Sequence, residues 1–293
     1  MNNLKQPSMP RIRAQSKTNG LLLLIPFSLW IGVLFILPHL ELLFLSFIGF
    51  RTGIPTLNNY FLFFTQSLYR STFIRTALFA ILVTTLTLFV CFPAAYFVTK
   101  MLGQRMRNAI IILIIMPFWI SELIRAFAWM TLLRETGAIS YLLQAVHLTN
   151  HNVELLYNNW AITIGLVYAS VLFMMVPLVT TLDTLDNSLI EAAYDLGASF
   201  WTTMREIVIP HSAPGITSGC IVVFMLSLGN YVTVTLLGGK NSLWFTEQIY
   251  NQFILRFNWN QGSAFGFVFL LLSVLIVWIF LRISRQSITK VLE

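Results

Sequence analysis

A chain of 293 residues in which 57% are hydrophobic and only 10% charged holds more apolar surface than a water-soluble fold can bury. The apolar residues come in long unbroken runs, and a run of about 20 is what a helix needs to cross about 30 Å of hydrocarbon. The net charge of +7 would suggest nucleic acid in a soluble protein, but its distribution reads as membrane topology, so nucleic acid is not expected as a partner.

Residues 1–20 are polar and basic with two prolines, the composition of a loosely ordered cytoplasmic tail lying against anionic headgroups. The first span is expected over 21–47. This run is too long for a signal-peptide core and lacks a small-residue cleavage site, so it should remain as an anchor. Further runs predict spans over 73–98, 109–133, 161–182, 214–237 and 264–283. Backbone hydrogen bonding in lipid makes each of them helical. The fold class is therefore an all-α integral membrane protein, with a six-helix domain over 21–283 and a short cytoplasmic tail over 284–293. Eleven Lys and Arg residues fall on the side of the termini: Lys5, Arg11, Arg13, Lys17, Lys100, Arg105, Arg107, Arg205, Arg282, Arg285 and Lys290. Six fall on the other side: Arg51, Arg70, Arg75, Arg134, Lys240 and Arg256. That bias puts both termini in the cytoplasm.

The connections differ in character. Residues 97–107 form a tight basic turn, whereas 49–71, 134–160 and 238–262 are longer outward loops able to cover a pore mouth or meet an external partner. Pro26, Pro93, Pro117 and Pro177 sit inside spans and should kink them. Gly215/Gly219 and Gly262/Gly266 are small-xxx-small pairs that permit close helix approach. Cys91 and Cys220, the two cysteines, both lie within spans and read as buried small residues, not a disulfide or a metal site.

The one sizeable inward loop, 183–211, holds five of the eleven acids and is the most patterned stretch of the chain. Ser188-Leu-Ile-Glu191 reads as a capping box that starts a short helix. Gly197 is the residue best able to end it in a left-handed conformation. Ser199 can cap a second helix through Ile207, which Pro210 should terminate. The loop is thus predicted as helix, glycine turn, helix.

Glu191-Ala192-Ala193, three residues, Gly197, nine residues and Ile207-Val-Ile-Pro210 closely resemble the EAA loop of bacterial ATP-binding-cassette importer permeases, with Ile209 where that pattern has leucine. The resemblance implies that Glu191, Ala192, Ala193, Gly197, Ile207 and Pro210 belong to a coupling helix seated in a cleft of a cytoplasmic ATPase subunit. It also implies a second homologous permease, two such ATPases that use ATP and Mg, an external substrate-binding protein and a location in the bacterial inner membrane. No cofactor is then expected on this chain itself. Pro117-Phe-Trp-Ile-Ser-Glu-Leu-Ile-Arg125, Gly165-Leu-Val-Tyr168 and Leu236-Leu-Gly-Gly239 are similar to the spermidine/putrescine permease subfamily, which implies a polyamine solute; relatives handling opines or phosphonates share much of the pattern.

Charged residues within the spans must be compensated, because one at mid-bilayer costs about 2.5–3.5 kcal/mol on insertion scales. Glu122 and Arg125 are three residues apart on one helix face. Either they face a translocation path, where Glu122 meets a cation beside Trp119 and Trp129, or they form a structural ion pair with the tryptophans in an aromatic belt. Asn230 and Tyr231 could open a helix around a solute or bond a neighbouring helix. His147 and His151 have helical ligand spacing but no evident third ligand, so no metal is expected. His39 and Glu41 could make a further polar pair. The chain has no phosphate loop; Gly239-Lys240-Asn241 lacks both the upstream glycine and the hydroxyl. Nor does it have a recognisable nucleophile–base order, so it is expected to be a transport subunit and not an enzyme. A carrier that works alone would usually show internal repeats and more spans, and no repeat is evident.

Overall fold

The computed structural model describes residues 24–149, 151–239 and 242–283. The tails expected at 1–20 and 284–293, the first three residues of the first expected span and Lys240 and Asn241 lie outside the described residues. The elements are α1 (Leu24–Ser46), α2 (Asn58–Thr65), α3 (Ser67–Lys100), α4 (Gln104–Ile115, with a 3-10 turn over Met116–Trp119) and α5 (Glu122–Leu133). They continue with α6 (Ala138–Ala145), α7 (Asn159–Asp183), α8 (Asn187–Asp195), α9 (Phe200–Gly229), α10 (Val232–Gly238), α11 (Phe245–Tyr250) and α12 (Trp259–Ile283). Among the described residues there is no sheet, only one bridge between Ile48 and Pro55.

Five helices, α1, α3, α7, α9 and α12, are each long and apolar enough to cross a membrane. The straight helix expected over 109–133 does not form. In its place is a pair of helical stretches, Gln104–Trp119 and Glu122–Ala145, bent by 95°. Pro117 lacks the amide that would continue the ladder, the backbone tightens into the 3-10 turn, and Ile120 and Ser121 are extended before α5 restarts.

The fifth expected span, 214–237, also needs correction. Pro210 does not stop the preceding helix. A π-turn over Met204–Val208 widens the ladder just ahead of it, which relieves the ring from the carbonyl it would otherwise strike, and the helix runs on from Phe200 to Gly229. It ends instead at Asn230, which is extended, and α10 starts two residues later. The outward stretch 238–262 is more than a loop, since α11 is seated in the core with Trp244 and Phe245 fully buried and the Phe245 amide bonded to Thr76 Oγ1 at 3.0 Å.

The bundle is built on α3, α7 and α9, which pack mutually. At one end Cys91, Met174, Leu178, Leu182 and Val208 form a core; at the other, Phe63, Phe73, Phe245 and Phe265 meet largely edge to face, with Phe63–Phe245 at 5.5 Å and Phe73–Phe245 at 5.6 Å. By contrast α1 buries nothing against the rest of the chain over its apolar window and contacts mainly α12. His39 does not pair with Glu41 but bonds the Phe35 carbonyl at 2.7 Å.

Of the two small-residue pairs, Gly215 and Gly219 do mark a close approach. A Cβ on Gly215 would lie 2.6 Å from the Pro177 carbonyl of α7, and one on Gly219 would lie 2.8 Å from Met174 Sδ. Gly262 meets the Phe253 ring, whereas Gly266 faces open space. Gly215→Val should therefore destabilise the chain by about 2 kcal/mol, the usual cost of overpacking, while Gly266→Ala is neutral. Thermal unfolding in mild detergent measures both.

Candidate functional site

Two features combine local sequence chemistry with exposure: a helical hairpin at one end of the bundle and a cavity at the two helix breaks. In the hairpin, α8 begins at Asn187 and is capped by Asp186, whose Oδ1 accepts from the Ser188 amide at 3.0 Å. The expected Ser188–Glu191 box does not form, because Asp186 two residues earlier takes the amide first. That hydrogen bond holds the Asp186 carboxyl below its ordinary range. The cap is therefore present at neutral pH and is lost as pH falls through this lowered value.

The other end of α8 is a Schellman closure. Ala198 N–H donates to the Ala193 carbonyl and Gly197 N–H to that of Tyr194, both at 2.9 Å, with Gly197 at φ +81°. Ser199 Oγ then accepts from the Thr202 amide at 3.3 Å and starts α9, as its position in the sequence predicts. Ile190 and Ala193 turn inward and Ile207 packs on the core, leaving Glu191, Ala192 and Pro210 exposed. At the tip Leu196 is 88% and Trp201 77% exposed. Two cations, one at the end of α3 and one on α4, hold the hairpin's root. Lys100 Nζ donates to the Leu185 carbonyl at 2.5 Å and Asn187 Oδ1 at 3.1 Å, and Arg107 pairs with Asp183 at 2.5 Å.

The second feature is a cavity of about 630 Å³ lined by Phe118, Glu122, Arg125, Ser170, Asn230 and Tyr231 among others, between the bend of α4/α5, α7 and the break of α9/α10. Glu122 and Arg125 do not form the ion pair that their spacing allows. Glu122 Oε1 instead accepts from Asn230 Nδ2 at 2.6 Å and from Thr233 Oγ1 at 3.4 Å, so it ties one helix break to the other. The Asn230 Oδ1 caps α10 by accepting from the Thr233 amide at 2.9 Å, and its carbonyl accepts from Thr246 Oγ1 at 3.4 Å. The Arg125 guanidinium stacks over Phe118 at 4.5 Å, with Nε and Nη1 buried and without a hydrogen-bond partner.

Trp129 lies beside this cavity in a smaller recess, edge-on to Tyr168 at 5.5 Å. Trp119 lies outside the lining and is 85% exposed. Sequence reasoning missed Phe118, Ser170, Thr233 and Tyr250, the last stacked on Tyr231 at 4.5 Å. Tyr250 sits in a different stretch of sequence, and only the inward fold of α11 brings it there. Among the described residues no three His, Cys, Asp or Glu come together as a metal set, and both cysteines are buried thiols.

The model of the family described as binding-protein-dependent transport system inner membrane component matches residues 25–290. The spermidine/putrescine transport system permease protein PotB of Salmonella typhimurium is 31% identical over 89% of this chain and 92% of that protein. PotB of Haemophilus influenzae is 28% identical over 89% and 93%. The fold is similar to a chain in the crystal structure of a bacterial ABC transporter that imports the acidic polysaccharide alginate, at a TM-score of 0.71 and 18% identity, covering 94% of this chain and 99% of that one.

Asn230→Ala removes the bonds to both Glu122 and the Thr233 amide and should cost about 1–2 kcal/mol, whereas Glu122→Gln, which keeps an acceptor for Asn230, should cost under about 0.5 kcal/mol. Denaturation in detergent compares the two.

Proposed function

This chain belongs to the binding-protein-dependent transport system inner membrane component family, and from that membership and the site geometry we infer how it works as the permease subunit of an ATP-driven importer. It is a multi-pass inner-membrane protein, and its relatives are permeases, not enzymes. The translocated solute is a polyamine such as spermidine or putrescine. The observation that carries this reading is a carboxylate, Glu122, held at the junction of two broken helices on a cavity of about 630 Å³, in a chain 31% identical to a spermidine/putrescine permease.

Half of the path is formed by Glu122, Arg125, Asn230 and Tyr231, with Trp129 beside it and Trp119 on the face left for a second, homologous permease. Solute arrives from an external binding protein, as the family's description implies. Both termini lie in the cytoplasm, and the hairpin there couples to ATP hydrolysis. Its tip is apolar and exposed, with Leu196 ending a short helix closed at both ends and Trp201 in the first turn of the next, a rigid shape suited to a partner's cleft. Glu191, Ala192, Ala193, Gly197, Ile207 and Pro210 shape it, and the two ATPase subunits, not this chain, hold ATP and Mg.

A second reading of the solute is favoured by one observation. The buried, unpartnered Nε and Nη1 of Arg125 are donors that an anionic group would satisfy. Uptake into proteoliposomes holding the complete importer separates the two. For a polyamine, Glu122→Gln should lower uptake at least tenfold and Arg125→Met should leave it equal or faster. If Arg125→Met abolishes uptake of an opine or phosphonate and polyamines do not enter, the second reading holds. Co-purification tests the coupling: Gly197→Asp, strained at φ +81°, should lose the ATPase subunit, and Glu191→Ala should weaken its retention. ATPase recovery equal to wild type in both variants would refute the coupling role.

A further inference from the structure

The stacked pair Tyr231–Tyr250 lies at the rim of the cavity, ring centroids 4.5 Å apart with 24° between planes. Tyr231 lines the cavity, and Tyr250 belongs to α11. Three residues before it on the same face of α11 stands Glu247, half-buried and within electrostatic reach of Tyr231. Burial pushes the Glu247 carboxyl above its ordinary range, only partly offset by a hydrogen bond from the Trp244 amide. Among the described residues it has no ion-pair partner, since the one salt bridge is Arg107–Asp183. A desolvated carboxylate beside two aromatic faces is the pairing that attracts an ammonium group.

The helix break joins this corner to Glu122. Asn230 gives its side-chain amide to Glu122 at 2.6 Å, and its backbone carbonyl accepts from Thr246, the neighbour of Glu247, at 3.4 Å. Asn230 thus contacts the Glu122 carboxylate directly and is bonded to the residue next to Glu247. We propose that Glu247, with the Tyr231–Tyr250 pair, is a second ammonium subsite, so that a solute with two amino groups is held by a carboxylate at each end, Glu122 and Glu247. This inference rests on the polyamine reading given above.

The test uses the whole importer, with partner permease, ATPases and binding protein, arrested with vanadate in the presence of radiolabelled putrescine. Retained label is counted per complex that has also captured the binding protein. Wild type should retain putrescine. Glu247→Gln should capture the binding protein but hold at least tenfold less label, and Glu247→Asp should hold at least half of the wild-type amount. Retention by Glu247→Gln within twofold of wild type overturns the proposal. So does failure of both variants to capture the binding protein, which would make Glu247 a structural cap of α11. A wild-type importer that retains neither putrescine nor spermidine identifies the polyamine reading itself as the failure, with the second subsite falling along with it.

Discussion

The hydrogen bond from Asn230 to Glu122 is the contact on which the cavity side of this protein depends. In lipid every backbone and side-chain polar group needs a partner within the protein, and a broken helix exposes several at once. Here two helices break beside one cavity, at Ile120–Ser121 and at Asn230–Tyr231. Asn230 answers most of the demand by donating to Glu122, capping α10 through its Oδ1 and presenting its carbonyl to Thr246. A charge that would be expensive in a lipid-facing helix is thereby hydrogen-bonded across two helix breaks.

The regular half of the bundle makes that irregularity tolerable. α3, α7 and α9 pack closely, with glycine-sized gaps where α9 passes Pro177, and their cores extend from the hairpin end to the aromatic cluster around Phe245. The hairpin is rooted in this half through Lys100 at the end of α3, which donates to the Leu185 carbonyl, and through Asp183 at the end of α7, which pairs with Arg107. One continuous helix, Phe200 to Gly229, runs from the exposed tip to the cavity.

Features set by local chemistry were legible in the sequence. Hydropathy located the crossings, Gly197 had to be glycine because the chain turns through φ +81° there, and Ser199 caps the helix that follows it. Features set by competition between neighbours were not. Asp186 displaced Ser188 as the cap, and a π-turn carried the helix through Pro210 where proline alone would have ended it. Pro117 and the Asn230–Tyr231 pair marked where two helices could kink or open, but not that the first would bend by 95° or that both breaks would meet at one cavity. The partners of Glu122 come from more than a hundred residues away, while Arg125, the partner its spacing suggested, stacks on Phe118.

The seat proposed for the ATPase subunit is the hairpin tip. A photoreactive benzophenone side chain in place of Leu196, activated in membranes containing the assembled importer, tests this most directly. One dominant adduct should join this chain to the ATPase subunit, formed in good yield because Leu196 is 88% exposed. Adducts confined to lipid or to this chain itself, with the ATPase present and uncrosslinked, would contradict it.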